Sequence, residues 1–358
     1  MVLRSVFILV IAVLSINLLH AQKAPKYSNE FLSIGVGARS LGMANATVAS
    51  TNDAAAGYWN PANLTTSNAA VQVGLMHAEY FAGIAKYDFL GGSYRIDKES
   101  VFGASLIRFG VDNIPNTLEL IDADGNIRYD RITSFSVADY AFLFSYSRKL
   151  PVDNLFVGGN VKIIRRIAGD FANAWGFGLD AAATFHYNQF RFAAILRDAT
   201  STFNAWRFNT DQLKETFLLT GNEIPENSTE ITLPKLILGS GYMFRLGKKY
   251  TVYSELNLDV STDGKRNVLI KSDPVSIDPH LGIELSFRKI IFVRGGIGNI
   301  QKEEDFNNET SYTLQPNFGI GLRIKNLTIN YALTDVGDVS AAPYSNIFSL
   351  SYSFEKIK

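Results

Sequence analysis

The stretch Trp175-Gly176-Phe177-Gly178-Leu179-Asp180-Ala181-Ala182-Ala183-Thr184-Phe185-His186-Tyr187 alternates two chemistries residue by residue. Trp175, Phe177, Leu179, Ala181, Ala183, Phe185 and Tyr187 share one parity, and Gly176, Gly178, Asp180, Ala182, Thr184 and His186 share the other. A period of two belongs to an extended strand whose side chains point alternately to opposite faces, here one apolar and one wet. The pattern returns near the C-terminus, where Leu327, Ile329, Tyr331 and Leu333 alternate with Thr328, Asn330, Ala332 and Thr334. It returns again where Phe348, Leu350, Tyr352 and Phe354 alternate with Ser349, Ser351 and Ser353.

Working outward from these, strands are expected near 69–79, 83–96, 100–110, 137–149, 154–168, 174–187, 190–199, 234–246, 249–262, 275–287, 290–299, 314–324, 327–336 and 345–355. The even count fits a bacterial single-chain barrel. Tight connections (97–99, 150–153, 188–189, 247–248, 288–289, 325–326) alternate with long ones (111–136, 200–233, 263–274, 300–313, 337–344) from the second strand onward, while 80–82 is short where a long one is allowed. Short periplasmic turns and longer outer loops produce that alternation. The fold class predicted is all-β, a transmembrane up-and-down antiparallel β-barrel of about 14 strands. Charge phase agrees, because a lipid-facing charge at mid-depth costs roughly 2–4 kcal/mol and charges should collect on the lumen side. Asp278, His280 and Glu284 oppose Ile277, Leu281 and Ile283; Glu255 and Asp259 oppose Leu256 and Leu258. Arg165 breaks phase, near a strand end where it can snorkel.

Composition excludes other classes. Basic and acidic residues balance at 34 each, which argues against a nucleic-acid binder, and the absence of cysteine removes disulfides, thiol nucleophiles and thiolate metal sites. Arg4, the apolar run Val6–Leu19 and the site after Ala21 read as a secretory signal over 1–21. No later run approaches the ~20 apolar residues of a membrane-spanning helix.

Lumen-parity positions are rich in glycine: Gly158, Gly176, Gly178, Gly239, Gly241, Gly282, Gly319 and Gly321. Such glycines either admit a close-packed filling or only help curve the wall. The filling expected is the N-terminal segment 22–68, a plug preceding the barrel at 69–358. Asp53 is expected to cap a short helix through Ala54–Trp59, and Pro61 to force Asn60 out of helical geometry. The run Gly35-Val36-Gly37-Ala38-Arg39-Ser40-Leu41-Gly42-Met43, the Asp53-Ala-Ala-Ala block and Trp59-Asn60-Pro61-Ala62 resemble the PorV/PorQ family of Bacteroidetes-type outer-membrane proteins, a branch of the FadL-like barrels. The resemblance implies a fourteen-stranded barrel with an N-terminal plug, an outer-membrane location and a role in type IX protein secretion. Its plug-motif residues here are Gly37, Arg39, Gly42, Asp53, Trp59, Asn60 and Pro61. Partners implied are translocon or attachment-complex proteins, or the C-terminal signal domains of secreted cargo; the alternative is a FadL-like transporter of hydrophobic small molecules.

Signals for catalysis are weak. Gly35–Arg39 lacks the spacing and βαβ context of a dinucleotide loop. Asp122-Ala123-Asp124-Gly125-Asn126 lacks the downstream glutamate of an EF-hand and reads as an Asx-rich turn. His77, His186 and His280 stand outside any recognisable triad, though His280 lies between Asp278 and Glu284 on a lumen face. The expectation is a non-enzyme with no catalytic residues, metal or cofactor. Trp206-Arg207-Phe208, in the expected outer loop 200–233, combines residue types enriched at protein interfaces and is the candidate partner-binding segment.

Overall fold

A computed structural model of the chain describes residues 28–122, 124–211, 214, 217–218, 221–304, 310–334 and 345–355. The expected signal segment 1–21 and the first residues of the expected plug, 22–27, lie outside them, as do Ala123, parts of the expected connections 200–233 and 300–313, and all of 337–344. Sixteen strands follow in order: β1 (Val71–Tyr80), β2 (Ala85–Arg95), β3 (Ser100–Asn116), β4 (Thr133–Lys149), β5 (Leu155–Ala168), β6 (Ala172–Tyr187), β7 (Phe190–Arg197), β8 (Thr202–Phe208), β9 (Thr229–Thr232), β10 (Lys235–Leu246), β11 (Tyr250–Ser261), β12 (Ser276–Phe287), β13 (Ile291–Glu304), β14 (Thr310–Ile324), β15 (Leu327–Thr334) and β16 (Ser345–Phe354). Every pairing is antiparallel, and β1 against β16 together with β5 against β6 closes the ring of strands.

The cylinder has fourteen staves, as the alternation predicts. The two surplus strands come from interruptions. The chain breaks at 198–201, where Asp198 and Ser201 take positive φ, and resumes as β8 beside the other half of β6. Its neighbour breaks at 233–234 between β9 and β10, so two adjacent staves are bulged at one level. Bulges of this kind bend a strand locally without ending the ladder. Residues 202–208 and 229–232 are thus wall, where the sequence predicts loop. A second difference concerns the connections: 169–171, between β5 and β6, is also a tight turn on the long-loop side, so the predicted alternation of lengths has two exceptions.

Outward positions form an apolar band. Tyr94, Phe102, Tyr146, Tyr187, Tyr250 and Tyr352 lie exposed near the short-turn end, the place of an interfacial aromatic girdle. Above them come exposed Phe177, Leu238, Leu256, Ile283, Ile320 and Leu350. Arg165 faces outward near the end of β5, stacked over Trp175 at 4.9 Å and donating to Asn173 Oδ1 at 2.7 Å.

One wall reverses the rule. On β1–β3 the lumen side carries buried Met76, Ala78, Tyr80, Tyr87, Phe89 and Ile107, while His77, Glu79, Lys86, Asp88, Arg108 and Asp112 occupy the outward parity. The charges pair with one another: His77–Asp88 2.7 Å, Arg108–Asp88 3.6 Å, Arg108–Asp112 3.5 Å and Lys86–Asp112 3.6 Å. Asp88 lies six residues from girdle Tyr94, and Arg108 six from girdle Phe102. With a rise of ~3.4 Å per residue and a tilt of ~40°, both stand about 15 Å above the girdle, inside a band about 25 Å tall. The plug also ties this wall to the opposite one. Phe31 carbonyl accepts from Tyr87 Oη at 3.0 Å, and Ser28 Oγ accepts from Asn204 Nδ2 at 2.6 Å across the lumen. Outward neighbours of Asn204 are Phe203 and Ala205; those of Tyr87 are Lys86 and Asp88. The outward positions beside one tie are oily and those beside the other are charged. The expectation that wall charges gather in the lumen therefore fails on β1–β3.

Substitution should expose this difference. Leu256→Arg is expected to lower stability in lipid vesicles by about 2–4 kcal/mol. His77→Arg, which places the guanidinium beside Asp88 and Glu79, should lower it by less than Leu256→Arg does, because the new charge is paired. Urea titrations of vesicle-embedded protein, followed by tryptophan fluorescence, make the comparison.

Candidate functional site

The lumen is filled by residues 28–67, which fold as short turns: 3₁₀ helices Glu30–Ser33 and Pro61–Thr66 and single α-turns Ala38–Leu41 and Ala56–Trp59. Small residues permit this. Gly42 lies so close to Gly319 of β14 that a Cβ on Gly42 would stand 2.9 Å from the Gly319 Cα. A Cβ on Gly158 would meet the Pro61–Ala62 backbone at 2.6 Å, one on Gly239 would meet Val48 at 2.5 Å, and one on Gly282 would meet Met43 at 2.7 Å. The other four lumen glycines make room for wall side chains instead: Gly176 for Asn204, Gly178 for Thr202, Gly241 for Tyr253, Gly321 for Asn330 and Arg294. Both readings of the glycine stripe hold, each at its own positions.

Polar bonds fix the segment to the wall. The Gly37 N–H, at φ +85°, donates to Met76 Sδ at 2.9 Å, and Ala38 N–H donates to Ser349 Oγ at 3.1 Å. Arg39 meets Glu284 of β12 at 3.0 Å, and Arg294 of β13 meets the same carboxylate at 2.7 Å. Burial works against the Arg39 charge, but Glu284, with Asp53 and Glu255 behind it, holds the guanidinium above its ordinary pKa. Trp59 Nε1 donates to Val36 O at 2.8 Å. Asn60, extended at φ −158°, accepts from Ala62 N–H at 3.0 Å and donates to Val48 O and Thr184 Oγ1, each at 2.8 Å. Pro61 opens the 3₁₀ turn that follows. Asp53 accepts from Ala55 N–H at 2.9 Å, so it caps the turn ahead of Ala56–Trp59 rather than a helix from Ala54. The seven motif residues thus lie in one packed body, although Arg39 and Asp53 also border a cavity beneath it.

Two sizeable cavities remain, one on each side of the plug. The outer one, about 560 Å³, is bordered by Lys235, Asp259, Asp278, His280, Arg197 and Arg266 among others. Lys235 and Asp259 pair at 3.1 Å; His280 meets Asp278 at 3.5 Å and Ala44 O at 3.0 Å, whereas Glu284 belongs to the arginine pair. Beside the bulged staves, buried Lys162 of β5 contacts both Asp180 and Asp198, a cluster the sequence reading did not single out because its members are 18 residues apart. The inner cavity, about 490 Å³, opens toward the short turns.

Trp206, Arg207 and Phe208 lie on β8, not in a loop, and consecutive residues of a strand face opposite ways. Trp206 is half-buried, with Arg166 over its ring at 5.0 Å, and Arg207 is exposed. They do not form one surface. In the outer loop, Asp122 accepts from the Asp124 and Asn126 N–H groups, and the Asn126 bond holds its carboxyl below the usual range, as in an Asx turn. Among the described residues no group of three or more His, Cys, Asp or Glu side chains is placed to hold a metal.

Breaking the shared carboxylate should loosen the plug. Glu284→Leu leaves Arg39 and Arg294 without their partner and is expected to cost on the order of 3 kcal/mol. Gly42→Leu should displace the segment sterically. In both variants, cleavage of the N-terminal segment by added protease should speed up while the barrel keeps its heat-modifiable gel mobility; unchanged cleavage would contradict the assignment.

Comparison with solved structures gives the fold. The toluene transporter TodX of Pseudomonas putida matches with a TM-score of 0.54 at 13% identity, over 90% of this chain and 99% of that one. A FadL homologue of Pseudomonas aeruginosa matches with a TM-score of 0.54 at 12% identity, over 89% and 98%. The CymD monoaromatic hydrocarbon channel matches with a TM-score of 0.53 at 12% identity, over 90% and 98%. A search of curated proteins by sequence finds no match. The sequence profile of the type IX secretion system protein PorV, in contrast, matches residues 20–257, about two thirds of the chain. With the closed barrel and its outward apolar band, this profile identifies an outer-membrane protein belonging to the PorV family of the type IX secretion system.

Proposed function

We propose that this chain serves type IX secretion as a protein-binding subunit, meeting translocon or attachment-complex proteins, or the C-terminal signal domains of cargo, through its outer loops and the charged wall of β1–β3. The observation that carries this reading is the outward ion cluster of His77, Lys86, Asp88, Arg108 and Asp112, of which Asp88 and Arg108 stand at bilayer depth. Lipid tails offer these groups no hydrogen bonds. A protein surface with polar groups at the same height does. The bulged, loop-bearing side at β7–β10 keeps an oily exterior, so partner contact on this reading is one-sided.

The alternative is a transporter of hydrophobic small molecules, like the hydrocarbon channels that share the fold. It requires a continuous apolar pocket beneath the plug and a lateral opening in the wall. Charged side chains border both large cavities, and the packed segment 28–67 separates them, which favours the interaction reading.

Site-specific photo-crosslinking in cells separates the two. A photoreactive residue in place of His77 should yield discrete protein adducts carrying type IX components, whereas one in place of Leu256 should label lipid. Equal labelling of lipid at both positions, with secretion of surface-anchored cargo unaffected by deletion of the gene, would overturn the proposal.

A further inference from the structure

We propose that the periplasmic mouth of the barrel is a binding site for a small multivalent anion bearing phosphate or carboxylate groups. The inner cavity, about 490 Å³, has the size of a small-molecule site. Its border carries Arg191, Arg245, Lys289, Arg323 and Lys325, and among the described residues none of the five lies within ion-pair distance of a carboxylate. Deeper in, Arg39 and Arg294 share Glu284, and Asp53 is the other acidic group on the border. Seven cations therefore face two carboxylates.

Composition does not account for this excess, since basic and acidic residues balance over the chain. Nor is it a general property of the lumen. The outer cavity is bordered by Arg197, Lys235 and Arg266 against Glu30, Asp259 and Asp278, an even balance. Like charges gathered in a low-dielectric cleft repel one another and focus a positive potential into it. An anion seated among them relieves that repulsion.

The remaining border chemistry suits the same ligand. Thr251, Thr328 and Ser351 add hydroxyl groups. Two of the five cations are held in place by rings: Arg191 lies 5.7 Å from the Tyr253 ring centre, and Arg323 lies 5.2 Å from that of Phe292. Stacking of this kind orders a guanidinium before the ligand arrives, which reduces the entropy lost on binding. Arg245, Lys289 and Lys325 are exposed at the rim, near the turns 247–249, 288–290 and 325–326. The plug closes the cavity from the outer side, so ligand enters from the periplasm. This site is independent of the secretion reading and of the β1–β3 wall.

The test is isothermal titration of the full chain in nanodiscs of zwitterionic phosphatidylcholine, with inorganic pyrophosphate and, separately, citrate as probes. Saturable binding near one equivalent is expected, weakened about threefold by Lys289→Gln at the rim. Arg323→Gln with Lys325→Gln should weaken it by about tenfold or more, because each removes a charge-assisted contact. Arg128→Gln, in the outer loop, should leave it unchanged. Heat-modifiable gel mobility checks that each variant remains a folded barrel. Failure of either probe to saturate, or equal affinity in the rim variants and the wild type, would overturn the assignment.

Discussion

Closure of the sheet is the constraint on which the rest of the molecule depends. In hydrocarbon, a backbone N–H or C=O without a partner costs several kcal/mol, so a spanning sheet must leave no free edge. The ladder of β1 on β16, from Val71–Phe354 to Glu79–Asn346, joins the first strand to the last and closes the ring. Once the cylinder is closed, alternation divides every stave into an outward and an inward set, and the lumen becomes a narrow space with polar walls. The interruptions at 198–201 and 233–234 respect the same rule. They come side by side, β6 remains paired above and below the break, and the Ala199 N–H still reaches Leu179 O at 2.8 Å.

A polar lumen of this size must hold water or protein. Here it holds residues 28–67, and the wall is built for them. Glycines face the segment where its backbone comes closest, and Glu284, Thr184 and Ser349 supply acceptors where it presents N–H groups. The apolar face of the segment is answered by Met76, Tyr80, Tyr87 and Ile107, which belong with Phe31, Leu32, Tyr58 and Trp59 to one buried cluster. This explains the reversed wall from the inside. Where the plug is oily, the lumen side of β1–β3 is oily too, and the strands' polar residues are left on the other face.

Much of this was legible in the sequence. Period-two alternation places the fourteen staves within a few residues, because a strand buried in lipid on one side leaves its mark on every second position. Two kinds of information were not carried there. The first is continuity: Thr202–Phe208 alternates like any other strand, but the break at Asp198–Ser201 hides its kinship with β7, so it reads as loop. The second is absolute face. Alternation in His77-Ala78-Glu79-Tyr80 shows that two chemistries are separated, and only the plug decides which one points inward. The family motif lay in plain view, whereas the Lys162–Asp180–Asp198 cluster and the basic mouth join residues from distant staves and appear only when the cylinder closes.

The distribution of charge then bears on how such a barrel is used. A channel for oily molecules needs a low-dielectric path through its interior and a uniformly oily exterior. This molecule places charges along the borders of both internal cavities and on one external wall. Charges that pair among themselves, as Arg108 does with Asp88 and Asp112, still carry unmet hydrogen-bonding capacity, since a guanidinium has five donors and a carboxylate several lone pairs. Water satisfies that capacity above the bilayer, whereas lipid tails do not satisfy it within. On the reading proposed above, a plugged cylinder with one charged wall stands beside a partner rather than passing a solute through its centre.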